Sequence, residues 1–331
     1  MAGAARRHPE VVTAKATAIA HPIQGLIKYH GLVDDRLRLP FHDSISVCTA
    51  PLTTKTTIEF GGYPQETATI NGRAIGGREL ERVLAVVDVV RVRAKLRANF
   101  RMASVNDFPS NVGLGASASG FAALAWAACA AAGLPLTVKD VSRIARRGAG
   151  SAARGVAGGY ARWQTGGSDA DSFAYQLRED LPLGIVIALV TAYKTTDSAH
   201  REAPSSPFFQ ARLAEMPKML AEMELAIRNG DLGKVMMLAE RDTMMLHGIT
   251  MTGTSEMLLW RPETVKVILA VKRMREAGVP AFFSIDTGAT VYVNTLPEKV
   301  DEVESRIHAL GIDTLRCGVG GGARTDEGHL F

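Results

Sequence analysis

The 331-residue chain exceeds what one hydrophobic core usually supports, so two domains are expected, divided as residues 1–193 and 194–331. Its formal charge of +4 comes from 38 basic residues scattered among 34 acidic ones, and the 6% of aromatics do not interleave with basic runs; this argues against nucleic acid and suits a small anionic substrate. No apolar run reaches the ~20 residues that span a bilayer and residues 1–21 hold no continuous apolar h-region, so a cytoplasmic protein without a membrane partner is expected.

The chain opens β-rich. Residues 11–20 alternate as a strand, and a Thr-rich strand is expected over residues 53–60. Between them lie Lys28, Tyr29, His30 and His42; taken alone, Lys28 is a solvated loop lysine and the histidines are structural. Asn71-Gly72 marks a turn. Residues 78–98 carry Leu80, Val83, Leu84, Val87, Val90 and Ala94 at helical spacing, although the valine-rich stretch 86–92 is equally compatible with a strand. Residues 100–108 lead as a strand into Pro109-Ser110-Asn111-Val112-Gly113-Leu114-Gly115-Ala116-Ser117-Ala118-Ser119-Gly120 and then an Ala-rich apolar run.

That stretch reads as an anion-binding loop opening a helix. Pro109 and Gly113 break regular structure, Gly115 permits close backbone approach, and the first-turn N–H groups of the helix have no partners within it. Polyphosphate suits such a site, with Ser117 and Ser119 supplying hydroxyls. The loop lacks the Walker-A lysine and is not G-x-G-x-x-G, so neither the P-loop nor the dinucleotide reading applies.

A helix capped by Thr137 follows to Arg146, then a Gly-rich turn containing Ser151 and Arg154, a hydroxyl and a guanidinium suited to a carboxylate or phosphate. An apolar strand is expected at 183–192, a polar linker at 194–207, and helices at 208–229, 232–246 and 261–277, with the methionines from 216 to 245 as core filling. Asp286 stands between the strands 280–285 and 291–294, at a place suited to a catalytic carboxylate or to a turn-forming Asx. A helix over 297–310 precedes the glycine run 318–322, to which no role attaches. Cys48, Cys129 and Cys317 are far apart and without metal-ligand spacing, so buried thiols are expected.

P-x-x-x-G-L-x-x-S-x-S-G before an Ala-rich helix resembles the signature loop of the GHMP kinase superfamily. Within it, Ile27-Lys28-Tyr29-His30-Gly31 with Leu39-Pro40 and Asp43-Ser44-Ile45-Ser46-Val47 resembles the opening of the mevalonate diphosphate decarboxylases. Ala145-Arg146-Arg147-Gly148-Ala149-Gly150-Ser151-Ala152-Ala153-Arg154 with Gly158-Gly159-Tyr160-Ala161-Arg162-Trp163 resembles a further motif of the same family, as does the segment around Asp242, His247 and Asp286. The resemblance implies an α+β, two-domain GHMP kinase fold: an N-terminal domain like ribosomal protein S5, a ferredoxin-like C-terminal domain, and the active site in the cleft between them. It implies ATP and Mg2+, with Pro109, Asn111, Gly113, Gly115, Ser117 and Ser119 at the ATP phosphates and Ser117 at the metal. Asp286 and Lys28 become the catalytic pair, and Tyr29, His30, Ser151 and Arg154 the substrate contacts. A homodimer is expected.

Two departures from the family pattern bear on the substrate. Leu32 stands where relatives place a lysine that helps hold a diphosphate, and Thr195-Thr196-Asp197-Ser198-Ala199 stands in place of S-S-R-x-G. Losing two cations that would contact a terminal phosphate, at ~1.5–3 kcal/mol for each hydrogen bond to a charged group, favours the monophosphate. The expectation is ATP-dependent decarboxylation of mevalonate 5-phosphate to isopentenyl phosphate, with the diphosphate reaction as the alternative. A nucleic-acid-binding protein on the same kind of fold is the alternative of another class.

Overall fold

A computed structural model describes residues 14–109, 112–191 and 196–331. In chain order the first half contains β1 (Ala14–Ala20), β2 (Ile23–Ile27), the small hairpin β3 (Leu32–Asp34) and β4 (Leu39–Pro40), β5 (Ser44–Ala50), β6 (Thr54–Gly61), β7 (Thr67–Ile70) and β8 (Arg73–Ala74). Helix α1 (Gly77–Ala94), β9 (Asn99–Asn106), α2 (Ala116–Ala131), α3 (Val138–Gly148), α4 (Ala152–Ala157), β10 (Tyr160–Gln164), β11 (Phe173–Arg178) and β12 (Gly184–Ala188) follow. The remainder is α5 (Thr196–Glu202), α6 (Phe209–Asn229), α7 (Leu232–Met251), α8 (Pro262–Glu276), β13 (Ala281–Ser284), β14 (Val291–Thr295), α9 (Val300–His308), β15 (Thr314–Val319) and β16 (Arg324–Asp326).

One sheet has the order β16-β1-β6-β9-β7-β8 and is antiparallel except where β7 meets β9. Helix α2 packs directly on it, and α1 and α3 pack beside α2 in the same core. The valines that could have made a strand form α1 instead: Val83, Val86, Val87 and Val90 recur at helical spacing and are buried in that core, so burial of one face outweighs the weak helix propensity of β-branched residues. Asn71 and Gly72, at φ 50° and 76°, make the two-residue β7–β8 turn that Asn-Gly favours. Thr137 caps α3, its hydroxyl accepting from the Asp140 N–H at 3.1 Å.

The second sheet runs β11-β10-β5-β15-β12-β14-β13, with β2 also on β5. Strand β12, which precedes residue 194, pairs with β14 and β15, and the last strand, β16, returns to pair with β1. Helices α6 and α7 pack on this sheet, and Met216, Met219, Met223 and Met236 fill that core as expected, whereas Met237 and Met244 are exposed. Helices α8 and α9 form the remaining core with β13 and β14.

The segment expected as a polar linker is helical from Thr196 to Glu202 and then makes a short 3-10 turn, Ala203–Ser205. Tertiary contacts explain this: Ala199 and Ala203 are buried, and the Glu202 carboxylate takes the backbone N–H of Ser255 and its hydroxyl, the latter at 2.7 Å. All three cysteines are buried free thiols whose pKa values burial pushes up to about 12. Among the described residues no helix is long and apolar enough to cross a membrane.

Candidate active site

Helix α2 starts at Gly115, which sits in the left-handed region at φ 73°, and a Cβ there would lie 3.0 Å from the Ile23 carbonyl on β2. No side chain among the described residues caps the helix, whose Ala118 N–H bonds the Gly115 carbonyl at 2.7 Å; a helix start of this kind suits an anion. Ser117 is exposed on the first turn. Ser119 points the other way: it is buried, and its hydroxyl bonds Thr54 Oγ1 at 2.6 Å, tying α2 to β6. Asn111 lies outside the described residues. The loop before α2 is pinned from the other half of the chain. Thr290 Oγ1 donates to the Val112 carbonyl, and the Tyr292 hydroxyl donates to the Gly113 carbonyl at 3.2 Å.

Asp286 follows β13. Its Oδ1 accepts from the Gly25 N–H at 3.1 Å, and its backbone carbonyl meets His247 Nε2 at 3.0 Å. Gly25 is obligatory here, since a Cβ would stand 2.8 Å from Asp286 Oδ1 and 2.6 Å from Lys28 Cγ. Strand β2 carries a bulge against β5 between Gly25 and Ile27, which re-aims the chain just before Lys28.

Lys28 is no surface lysine. Only 5% exposed, it sends Nζ to Thr243 Oγ1 at 3.0 Å and to Asp242 Oδ2 at 3.4 Å, while its backbone N–H donates to the same Oδ2 at 3.0 Å. Arg212, also buried, donates to Asp242 Oδ1 at 2.7 Å and to the Lys28 carbonyl at 2.8 Å. Burial pulls the Lys28 ammonium below its ordinary pKa, against the opposing charges of Asp242 and Asp286. Burial also works to raise the Asp242 carboxyl, but Arg212 and Lys28 together hold it below the usual carboxylate range.

Arg154 lies on α4, a short helix rather than the expected turn, and is buried. Its Nε donates to Ser46 Oγ at 3.0 Å and its Nη1 to Ser44 Oγ, both on β5. The guanidinium stands 5.5 Å from the Tyr29 ring centroid and 5.8 Å from that of Trp163. Burial draws its pKa down, with Tyr29 and Asp286 opposing. Ser151 precedes α4, beside Gly150, where a Cβ would press within 2.7 Å of the Tyr29 hydroxyl.

These groups share one cavity of about 640 Å³, lined from both halves of the chain. It brings together Lys28, Tyr29, Pro109, Gly113, Gly115, Ser117, Ser151, Arg154 and Asp286, all expected from the sequence. His30 is buried and outside this lining, its ring centroid 5.0 Å from that of His200. Leu32 lies on β3 opposite Pro40, also outside it. Sequence reasoning missed the lining residues Arg38, Arg78, Arg82 and His200. Arg78 and Arg82 sit at the start of α1 one turn apart, in a helix where only the apolar positions draw attention. Arg38 closes the β3–β4 turn at φ 52°, and nothing in its neighbourhood signalled that conformation. The lining holds five cationic side chains, Lys28, Arg38, Arg78, Arg82 and Arg154, against two carboxylates, Glu79 and Asp286, a balance that suits an anionic occupant.

The family description "Diphosphomevalonate decarboxylase-like N-terminal domain" matches residues 20–174. The phosphomevalonate decarboxylase of Haloferax volcanii is 48% identical over 96% of this chain and 99% of its own length. Among solved structures, MDDEF in complex with MVAPP, AMPPCP and magnesium superposes with a TM-score of 0.90 at 29% identity, covering 96% of this chain and 100% of the other. The mevalonate diphosphate decarboxylase of Staphylococcus aureus gives a TM-score of 0.90 at 29% identity, covering 96% and 99%. The chain therefore has the GHMP kinase fold and belongs to the family of phosphomevalonate and diphosphomevalonate decarboxylases.

Proposed function

We propose that the chain catalyses the ATP-dependent decarboxylation of mevalonate 5-phosphate, giving isopentenyl phosphate, ADP, phosphate and CO2. The observation that carries this reading is the convergence of Asp286, Lys28, Arg154 and the α2 N-terminus on one cationic cavity. A tertiary alcohol cannot depart as hydroxide together with CO2. Phosphoryl transfer to that oxygen makes it a leaving group; the C–O bond then breaks to release phosphate while the C1–C2 electrons form the alkene and CO2 leaves.

Each residue has a part in that sequence. Asp286, its Oδ1 fixed by the Gly25 N–H, orients the 3-hydroxyl and takes its proton. Lys28 places positive charge beside the transferred phosphoryl group. Pro109, Gly113, Gly115 and the N–H groups opening α2 cradle the nucleotide phosphates. Ser151, Tyr29 and the buried Arg154 grip the anionic ends of the substrate. The Ser117 hydroxyl, exposed in the cavity lining beside the phosphate loop, is the protein group that would accompany Mg2+ on the nucleotide. When bound, Mg2+ neutralises charge on the phosphates.

The monophosphate is favoured over the diphosphate because the relative at 48% identity is a phosphomevalonate decarboxylase, whereas the diphosphate enzyme from Staphylococcus aureus stands at 29%. A cytoplasmic homodimer belongs to the same reading, and light scattering tests its stoichiometry. The deciding experiment is coupled ADP release with mevalonate, its 5-phosphate and its 5-diphosphate, paired with detection of CO2. Preference for the 5-phosphate is expected; preference for the diphosphate overturns the substrate, and ADP release without CO2 overturns the decarboxylation.

A further inference from the structure

Thr243 lies on α7 and is fully buried. Its hydroxyl proton goes to the Ala239 carbonyl one turn back, at 2.9 Å, in preference to Ser284 Oγ at 3.5 Å. A hydroxyl has one proton and two lone pairs, so both lone pairs remain to accept. One takes Lys28 Nζ at 3.0 Å, nearer than the 3.4 Å that separates Nζ from Asp242 Oδ2. The other takes the Ile285 N–H at 3.2 Å, on the residue that leads into Asp286. His247, one turn further along α7, meets the Asp286 backbone carbonyl at 3.0 Å, so the same helix holds the backbone before that aspartate and at it. Asp242 supplies Lys28 with a counter-charge, whereas Thr243 supplies a distance: one oxygen ties the lysine ammonium to the strand end that presents Asp286.

We propose that Thr243 is a positioning residue for the reaction, its hydroxyl oxygen holding the Lys28 ammonium at a fixed separation from Asp286. This rests on the reading that Lys28 and Asp286 carry out the chemistry. The substrate oxygen has to meet its proton acceptor and the phosphoryl group beside the lysine in one geometry. An error of about 1 Å in such a geometry costs rate on the order of 10²-fold, and it costs little binding.

Full-length wild type, Thr243→Val and Thr243→Ser decide the matter, valine keeping the branched shape without the oxygen and serine keeping the oxygen. The measurements, with whichever phosphorylated mevalonate wild type prefers, are kcat, KM for that substrate, KM for ATP, the pH dependence of kcat/KM and the melting temperature. Loss of a hydrogen bond to a charged group corresponds to a roughly 10–100-fold effect. Thr243→Val should lower kcat by about that factor with both KM values within about threefold of wild type, and Thr243→Ser should restore kcat to within about threefold. The charged groups that face Lys28 are Asp242 on α7, Arg212 on α6 and Asp286 after β13, and both variants retain them. Valine removes an acceptor from the ammonium, so its alkaline limb of kcat/KM should move toward neutrality while that of serine stays. A kcat for Thr243→Val within about threefold of wild type overturns the proposal, as does a serine variant no faster than valine, a loss confined to KM, or an alkaline limb that does not move. Should valine melt too low to assay, Thr243→Cys, whose thiol is a weak acceptor, is held to the same outcomes. Lys28→Met and Asp286→Asn run alongside. If both stay active the catalytic pair falls and Thr243 with it; if both are inactive while Thr243→Val turns over normally, only the Thr243 assignment falls.

Discussion

Asp242→Asn tests whether the buried ion network, and not the position of Lys28 alone, makes that lysine competent. Asp242 is fully buried and accepts from Arg212 Nη2 at 2.7 Å, the Lys28 N–H at 3.0 Å and Lys28 Nζ at 3.4 Å. Asparagine keeps the shape but removes the charge facing two buried cations. Breaking one partner out of a buried pair costs about 3–5 kcal/mol, a Tm loss of about 4–7 °C for a chain of this size. The pH dependence carries a sign. The folded-state pKa of Asp242 is depressed, so its stabilisation is present above the unfolded value of about 4 and lost as pH falls through the folded value. The stability gap between wild type and variant should therefore narrow below about pH 4. Activity shifts at the other end: burial already lowers the Lys28 pKa and Asp242 opposes it, so the variant should lose charge on Lys28 at lower pH and its alkaline limb of kcat/KM should move toward neutrality. Thermal melts from pH 3 to 8 and a pH–rate profile are the assays. A variant with wild-type Tm and an unmoved alkaline limb would refute the network argument.

Asp286→Asn should fold normally and lose roughly 10²–10⁴-fold in turnover, because the amide cannot take the hydroxyl proton; activity within about tenfold of wild type removes Asp286 from the reaction. Lys28→Met should abolish turnover while calorimetry still detects substrate binding, and an unchanged kcat would return Lys28 to a structural role. Gly25→Ala drives a Cβ to 2.8 Å from Asp286 Oδ1 and 2.6 Å from Lys28 Cγ, so kcat should fall at least tenfold, about 1.4 kcal/mol in barrier, and a fully active variant would show that the pair tolerates displacement. Leu32→Lys with Thr196→Arg should move the ratio of specificity constants about tenfold toward the diphosphate by adding charge-assisted contacts; an unmoved ratio would sever these positions from phosphate recognition.

Local signals carried the elements well. Thr137 before α3 and Asn71-Gly72 act within a few residues, so their outcome is written where they occur, whereas the valine stretch of α1, equally compatible with a strand, was decided by burial of one face in the core. Seven of the nine cavity-lining residues expected from the sequence sit on motifs with local chemistry, a Gly/Ser loop before a helix, a glycine turn with Ser and Arg, and an Asp after a strand, whereas Lys28 and Tyr29 were reached only through the family resemblance. What stayed hidden was non-local. Ser119 reads as a loop hydroxyl, but Thr54 claims it from a strand 65 residues away. The glycine run at 318–322 carried no meaning until β15 was seen to meet β5 through two rungs, Gly318 to Ala50 and Val319 to Thr49. Beyond those rungs Gly320 bonds Cys48 and Gly159 through its own N–H and carbonyl, each at 2.8 Å, and a Cβ on Gly322 would stand 2.7 Å from the Val156 carbonyl. Gly322 is glycine because the Val156 backbone comes too close for a side chain, and Gly320 because the His21 ring does, 2.8 Å from where its Cβ would stand.

The nucleotide loop before α2, the strand carrying Gly25 and Lys28, and the loop carrying Asp286 come from distant parts of the sequence, yet they are joined by direct hydrogen bonds: Thr290 to Val112, Tyr292 to Gly113, Gly25 to Asp286 and Ser284 to Gly25. Each contact pairs a residue of the 284–292 region with the first half of the chain. Charge stabilisation is most effective when the stabilising groups need no reorganisation as the reaction proceeds. On the proposed reading, because protein–protein bonds already fix Asp286 and the carbonyls of the loop before α2, ATP would not have to assemble them, and its binding free energy would be available for placing the γ-phosphoryl group between Lys28 and the substrate oxygen.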